Sequence, residues 1–149
     1  MNNLAISVAN FFVELSIAEE VDINAMKLFK LVYLAQEKAL KSLGKPLFVD
    51  EIVVGEYGPL VNMISESYRD HCNDVITKPI VPSWMLFVPS LDQRSKRIVK
   101  EVWNGNKDSS ALVLSTQTHK AGSAWDLAVK SYGSLSNAMG KRIDLDFLK

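Results

Sequence analysis

The chain has 149 residues, of which 48% are hydrophobic and 23% are charged, and its 17 basic side chains balance 17 acidic ones. This composition predicts one globular domain and excludes a disordered or collagen-like chain. A net charge of zero argues against a free-standing nucleic-acid-binding domain, because such domains usually carry a basic excess that binds phosphates. A net charge of zero is still compatible with a basic patch on one face of the domain.

Cysteine usage and hydropathy indicate the compartment. Cys72 is the only cysteine, so no disulfide forms within the chain, and there is no CxxC pair to begin a zinc site. The apolar runs fall short of the ~20 residues that a membrane span needs, and the chain opens with no signal-peptide pattern. We therefore expect a cytoplasmic protein that uses no membrane and no cofactor.

Two helices are predicted at the start of the chain. Apolar residues at helical spacing predict the first over residues 4–20, with Asn3 as its N-cap. A stronger pattern predicts the second from Asn24, its N-cap, to Ser42, with Gly44 as its stop. Its lysines are expected mostly on the face opposite the apolar one: Lys27, Lys30, Lys38 and Lys41.

The middle of the chain has a less regular pattern. The β-branched residues 52–54 favour a short strand or an irregular crossing segment. Gly58 marks a break, and Pro59 fits the first turn of a helix that runs to about His71. Residues 73–89 contain three prolines and are predicted to be a connector, which we expect to lie on the body because its apolar residues would otherwise be exposed.

Three more helices are predicted in the second half. The first begins after a cap at Ser90 and ends at Gly105, and the second is short, with a cap at residue 108 or 109. The third spans residues 123–132, with Ser123 as its cap.

The tail and the element count complete the fold prediction. The apolar end of the tail, residues 147–148, is expected to dock on the core. We find no internal repeat. The predicted fold class is mainly α: a single compact domain over residues 1–149, with about six helices and at most a small sheet of two or three strands.

Candidate catalytic residues are few. The two histidines, His71 and His119, are too few for a multi-histidine metal site. The run of Asp70, His71, Cys72 and Asp74 is interpreted as a polar helix end with a half-buried thiol rather than as a set of ligands. A small enzyme that uses His119 with Cys72 or Asp126 remains an alternative.

A basic row lies on the fourth predicted helix. Arg94, Arg97 and Lys100 are spaced by three and form a positive face that could meet phosphates or an acidic protein patch. An ordinary solvated helix face is the favoured interpretation, because no aromatic residues alternate with the basic ones to stack on bases. A nucleic-acid-associated regulator is the third hypothesis.

The string at 118–125, THKAGSAW, is the most distinctive local pattern. Gly122 and the capping Ser123 indicate a turn that leads into a helix, and the indole of Trp125 is expected to plug the core. His119 could carry a proton, but a hydrogen-bonded imidazole that stabilises the turn is the favoured interpretation.

Three strings together resemble one family. KLFKLVYLAQ at 27–36 is similar to its K-L-x-K-L-[LV]-Y-[LF]-[AS]-Q helix, and GKPLF at 44–48 with EYGPLV at 56–61 is similar to its G-K-P-L-F loop and Y-G-P turn. The string from Leu114 to Trp125 resembles its L-S-x-x-T-H-x-x-x-[SG]-P-W pattern. With matching order and spacing, the chain resembles the Panacea or SocA-type antitoxin family, which includes GepA-like phage-associated proteins.

The resemblance implies an antitoxin of a bacterial or prophage toxin–antitoxin pair. Such a protein is not an enzyme, and it neutralises the toxin encoded by a neighbouring gene through direct protein contact. One family member delivers its toxin to an ATP-dependent protease, and whether this chain does so stays open. The family motif falls on residues that shape the domain or bind the partner: Lys30, Tyr33, Gln36, Tyr57, Gly58, Pro59, Thr118, His119 and Trp125.

Aromatic side chains are the candidate anchors of a protein interface. Most of them are expected in the core, and one or two are expected to be exposed binding residues. The candidates are Tyr33, Tyr57, Tyr68, Trp84 and Trp103.

Overall fold

The elements follow one another in a mainly helical order. The computed structural model describes residues 3–69 and 74–149. Its helices are α1 (Ala5–Glu19), α2 (Ala25–Leu43), α3 (Asn62–Ser67), α4 (Gln93–Asn106), α5 (Ala111–Thr118), α6 (Ala124–Ser131) and α7 (Leu135–Ala138). Strands β1 (Val53–Gly55) and β2 (Gly58–Leu60) form one antiparallel hairpin, and Leu145–Leu148 form a final 3-10 turn. The predicted fold class is confirmed.

Helix α2 lies at the centre of the molecule, in contact with α1, α4, α5 and β2. Its predicted caps are confirmed: Asn24 Oδ1 accepts from the Lys27 amide at 2.9 Å, and Gly44 ends the helix at φ +68°. Two of its lysines contradict the prediction of a solvent-facing row, because Lys27 and Lys30 are both buried. The apolar pattern of the sequence predicted that only one side of α2 is buried. In the structure, neighbouring elements cover the helix on several sides, and the lysines on those sides are buried too.

The N-terminus also differs from its prediction. Asn3 is not the cap of α1, which begins after Leu4 without a side-chain cap. The Asn3 amide instead donates to the Leu47 carbonyl at 3.0 Å and to Ser95 Oγ at 2.9 Å. The Asn3 side chain therefore bonds to residues distant in sequence instead of capping the helix that follows it.

The hairpin replaces part of a predicted helix. Pro59 lies in β2, opposite Val54, rather than in the first turn of a helix. Its fixed φ suits extended backbone as well as a helix start, and the pairing with β1 decides between them. Helix α3 therefore begins only at Asn62. It ends at Ser67, so the predicted end near His71 is wrong, and His71 itself lies outside the described residues.

The C-terminal tail packs beside the hairpin, and the predicted docking of residues 147–148 on the core is confirmed. The amide of Val54 donates to the Lys141 carbonyl at 2.9 Å, and the amide of Ile143 donates to the Ile52 carbonyl at 2.8 Å. Leu148 is buried and Phe147 is half-buried. The tail thus adds a third segment beside the two strands.

Three predicted helix ends are wrong. Asp92, not Ser90, caps α4 by accepting from the Ser95 amide at 2.8 Å. The helix continues through Gly105, whose intrinsic penalty of about 1 kcal/mol is too small to end a packed helix. Ser110 caps α5 in place of residue 108 or 109, whereas Ser123 caps α6 as predicted.

The connector at 74–92 is irregular and only partly covered. Ile80 is tied to α1 by the Asn10 amide, which donates to its carbonyl at 2.7 Å. The expectation that the connector lies on the body is wrong for five of its apolar side chains, which are exposed: Val75, Val81, Trp84, Leu86 and Phe87. In the described ranges, no helix has both the length and the hydropathy to span a membrane.

Candidate functional site

Three carbonyl groups of the hairpin are each held by a side chain from a different helix. Trp125 Nε1 on α6 donates to the Gly55 carbonyl at 2.8 Å. Ser115 Oγ on α5 donates to the Tyr57 carbonyl at 2.7 Å. Lys30 Nζ on α2 donates to the Pro59 carbonyl at 3.2 Å. The hairpin is therefore the meeting point of α2, α5 and α6.

We call this set of residues the signature cluster: Lys30, Gly55, Tyr57, Gly58, Pro59, Ser115, Thr118, His119 and Trp125. Seven of them are the predicted family-motif residues, and the structure brings those together. Ser115 and Gly55 were missed as site residues. Ser115 is part of the family-like string that begins at Leu114, which was the available signal, whereas nothing in the sequence marked the Gly55 carbonyl as an acceptor.

Gly58 allows the helices to approach the hairpin. Its φ of +119° lies in the region that favours glycine, and a Cβ there would stand 2.9 Å from Lys30 Nζ and 3.1 Å from Thr118 Oγ1. A side chain at Gly58 would thus strain the backbone and displace the ends of the Lys30 and Thr118 side chains.

Lys30 is the buried charge of the cluster. Its side chain is fully buried, and burial lowers the pKa of Lys30 to about 8. The ammonium is destabilised because the low-polarity interior solvates it less well than water does. A lysine here can donate to Pro59 in either protonation state, and its four-carbon chain fills space between α2 and the hairpin.

The end of α5 is fastened by two side chains that share one acceptor. Thr118 Oγ1 donates to the Ser115 carbonyl at 3.0 Å, and His119 Nδ1 donates to the same oxygen. The His119 ring meets the Trp125 ring edge-on, with centroids 5.5 Å apart. His119 therefore stabilises the turn, which agrees with the favoured interpretation of this residue.

Gln36 extends the motif to the loop at 44–48. Its Oε1 accepts from the amides of Leu47 and Phe48 at 2.7 and 3.2 Å, and its Nε2 donates to the Phe48 carbonyl at 3.1 Å. One turn earlier, Tyr33 is buried and donates to Glu37 Oε2 at 2.9 Å. Burial raises the pKa of Tyr33, so its hydroxyl stays protonated.

A cleft lies next to the signature cluster, between α2 and the turn before α6. Its volume is about 590 Å³, and Tyr33 and Thr118 belong to its wall. Glu37, Lys41 and Lys120 give the wall charges of both signs. Within the described ranges, no three His, Cys, Asp or Glu side chains are grouped to hold a metal ion.

Of the candidate enzyme residues, the structure describes His119, Asp74 and Asp126. Asp70, His71 and Cys72 lie outside the described residues, and Asp74 is exposed. Asp126 Oδ2 accepts from the Gly122 amide at 2.9 Å and pairs with Lys130 at 3.0 Å, and these contacts lower the pKa of Asp126. Asp126 thus stabilises the start of α6.

The predicted basic row lies in solvent. Arg94, Arg97 and Lys100 are all exposed on α4, as a solvated helix face would be.

The aromatic candidates divide between the surface and the core. Tyr57 and Trp84 are exposed, with 60% and 66% of their surface accessible. The other three belong to the core: Tyr33, Tyr68 and Trp103.

Comparison with models of known protein families identifies the family of this chain. The family model described as antitoxin SocA-like, Panacea domain, matches residues 28–126, about two thirds of the chain. The chain belongs to the SocA-like antitoxin family. All motif residues of the signature cluster lie within the matched part of this Panacea domain. No curated protein and no solved structure matches the chain.

Proposed function

We propose that this Panacea domain is an antitoxin that neutralises the toxin encoded by a neighbouring gene through direct protein contact. Membership in the SocA-like antitoxin family carries the proposal. The proposal includes a single Panacea domain over residues 1–149, a prophage or bacterial toxin–antitoxin pair as its setting, and the cytoplasm as its location.

The geometry of the signature cluster supports a binding role over a catalytic one. Lys30, Ser115 and Trp125 use their polar atoms to hold backbone carbonyls of the hairpin. A catalytic group needs to reach a substrate, whereas these groups are occupied within the fold. The motif residues therefore stabilise the fold, and other surfaces are left to bind the toxin.

Coexpression tests the proposal. The chain is coexpressed in bacteria with the adjacent gene under separate induction, and growth and copurification are scored together. We expect the neighbour to stop growth alone, and the chain to restore growth and elute with it as one complex. A neighbour that is harmless alone, or that is never bound, contradicts the proposal.

One variant and one chemical modification separate neutralisation from catalysis. If neutralisation were a turnover by His119, replacing His119 by Gln would abolish it while leaving the fold nearly intact. As a binding module, the chain should retain rescue with His119→Gln whenever the variant protein stays folded. Alkylation of Cys72 tests the thiol in the same way.

Delivery to a protease is a finer form of the same proposal. The half-life of the toxin is measured with and without the antitoxin, in cells with and without each ATP-dependent protease. A toxin half-life that is shorter only when both the antitoxin and the protease are present supports an adaptor role. A toxin that is neutralised with an unchanged lifetime restricts the mechanism to masking.

A further inference from the structure

The connector carries an exposed apolar segment, residues 81–88. Its projecting side chains are exposed to 53% at Val81, 66% at Trp84, 98% at Leu86 and 67% at Phe87. No charged residue occurs from Pro79 to Leu91, although charged residues make up 23% of the chain. Soluble proteins seldom leave contiguous aromatic and aliphatic groups in water without a partner for them.

The apolar segment is held at both ends. Before it, the Ile80 amide donates to Asn10 Oδ1 at 3.3 Å and to Tyr68 Oη at 3.2 Å. After it, Leu91 is buried, with 6% of its surface exposed. Within it, Met85 and Val88 pack against the core. The exposed side chains therefore project from an anchored support.

Prolines restrict the backbone of the segment in the free protein. Pro82 lies within the segment and Pro89 follows it, and the Met85 amide donates to the Pro82 carbonyl at 2.9 Å. A backbone that is already restricted loses less conformational entropy when a partner binds it. This favours binding by the segment as it stands.

A second copy of the chain fits the segment poorly. At two-thirds exposure, the rings of Trp84 and Phe87 each offer roughly 100–170 Å² of surface. Facing pairs of rings in a symmetric dimer would bury roughly 400–700 Å², below the ~1,200 Å² of a specific stable interface. Leu86 also projects almost entirely from the body, and two projecting surfaces cannot enclose each other.

We propose that residues 81–88 insert into an apolar, uncharged groove on the toxin. This inference rests on the proposed function and names the binding surface that serves it. A concave partner can enclose Trp84, Leu86 and Phe87 from several sides and so bury more area than a flat one. The centre of such an interface excludes charge, as the segment itself does.

Single substitutions at exposed positions test the insertion. Leu86→Asp places a charge at the centre of the interface, and Trp84→Ala removes its largest ring. Leu112→Asp on α5 is the matched control, because Leu112 is 76% exposed and an acidic residue is tolerated in a first helical turn. Each purified variant is compared with the wild type for melting temperature, toxin affinity and growth rescue.

We expect Leu86→Asp and Trp84→Ala to weaken toxin binding about 30-fold or more, as hot-spot substitutions do. Their melting temperatures should match the wild type, and Leu112→Asp should bind and rescue normally. Wild-type rescue together with full affinity in Leu86→Asp overturns the inference and leaves the antitoxin function standing. A wild-type chain that does not rescue overturns the antitoxin function and the inference with it.

Two further measurements identify other occupants of the segment. Light scattering at several concentrations detects a dimer, and flotation with phosphatidylglycerol vesicles detects membrane binding. A dimer or a vesicle complex that Leu86→Asp abolishes, while toxin affinity stays unchanged, overturns the inference. The inference is supported if the wild type is a monomer that does not bind vesicles and if Leu86→Asp lowers its affinity for the toxin.

Discussion

Lys30 Nζ donates to the Pro59 carbonyl at 3.2 Å, across 29 residues of sequence, with both groups out of contact with water. The bond fixes the hairpin to the central helix, and Gly58 makes room for it. Placing an ammonium there has an energetic cost, which appears as the lowered pKa of Lys30. The stability of the protein is thereby linked to pH.

The first prediction concerns that link. The pKa of Lys30 is about 8 in the folded protein and 10.5 in its ordinary state. Between these values the unfolded chain holds a proton that the folded chain has released, so the free energy of unfolding rises with pH across this window. Its total contribution is on the order of 3 kcal/mol, and below pH 8 it no longer changes.

Urea unfolding of the wild type and of Lys30→Met at several pH values measures the effect. Met is unbranched and only one atom shorter than Lys, and it has no titrating group, so the other ionisable groups cancel in the difference. We expect the wild type to gain stability relative to Lys30→Met from about pH 8 upward. A difference that does not vary with pH would show that Lys30 is not desolvated.

The second prediction compares two glycines. Gly58→Ala forces a side chain into a φ of +119° and against Lys30, so we expect a loss of about 1–3 kcal/mol or more. Gly105→Ala is the control, since a Cβ on this exposed position in α4 meets nothing within 4 Å. It should stabilise the protein by about 0.5–1 kcal/mol. Thermal unfolding of both variants measures the two changes in stability. Equal changes in Gly58→Ala and Gly105→Ala would contradict the assigned role of Gly58.

The third prediction separates the ring of Trp125 from its hydrogen bond. Trp125→Phe keeps most of the packing but leaves the Gly55 carbonyl without its donor, at a cost of about 1–2 kcal/mol. Trp125→Ala also removes the ring. From a fully buried ring we would expect 3–5 kcal/mol, and partial exposure of Trp125 places the loss near the lower end.

Trp84→Ala serves as the reference for Trp125, because Trp84 is 66% exposed and its loss should leave the unfolding free energy nearly unchanged. Chemical denaturation of the three variants under one set of conditions gives the comparison. An unchanged free energy of unfolding in Trp125→Ala would refute the structural role of this residue.

The fourth prediction concerns Gln36. Gln36→Leu has a similar volume but leaves the backbone groups of Leu47 and Phe48 without the partners that the amide supplies. We expect a loss of about 2–4 kcal/mol, because unsatisfied buried polar groups keep their full desolvation cost. Lys38→Leu, on the partly exposed side of the same helix, should change stability much less. Hydrogen exchange at Leu47 should rise in Gln36→Leu.

The fifth prediction tests the basic face. Replacing Arg94, Arg97 and Lys100 together by Ser should leave toxin neutralisation unchanged, because these exposed side chains form an ordinary solvated face in the antitoxin interpretation. Binding of the wild type to duplex DNA is measured over a range of salt concentrations. A strong, salt-sensitive affinity that the triple variant loses would favour the nucleic-acid hypothesis instead.

Local signals in the sequence predicted part of the local structure. The caps Asn24, Gly44 and Ser123 are confirmed, and of the two alternatives for the β-branched run the structure has the short strand, at Val53–Gly55. Each depends on backbone conformation and on hydrogen bonds between residues a few positions apart, which short patterns encode. The family resemblance also identified most of the signature cluster, since its residues form continuous strings.

The sequence by itself determined the helical class, the caps Asn24, Gly44 and Ser123, and the family, because these follow from short-range spacing and motif. Only the tertiary structure decided that Lys30 is buried, that Pro59 belongs to a strand, and that Asn3 bonds to Leu47 rather than capping α1. It also decided that Trp84 is exposed while Trp103 is buried. In each case the competing partners are distant in sequence, and folding selects the arrangement that satisfies the most buried polar groups and covers the most apolar surface at once.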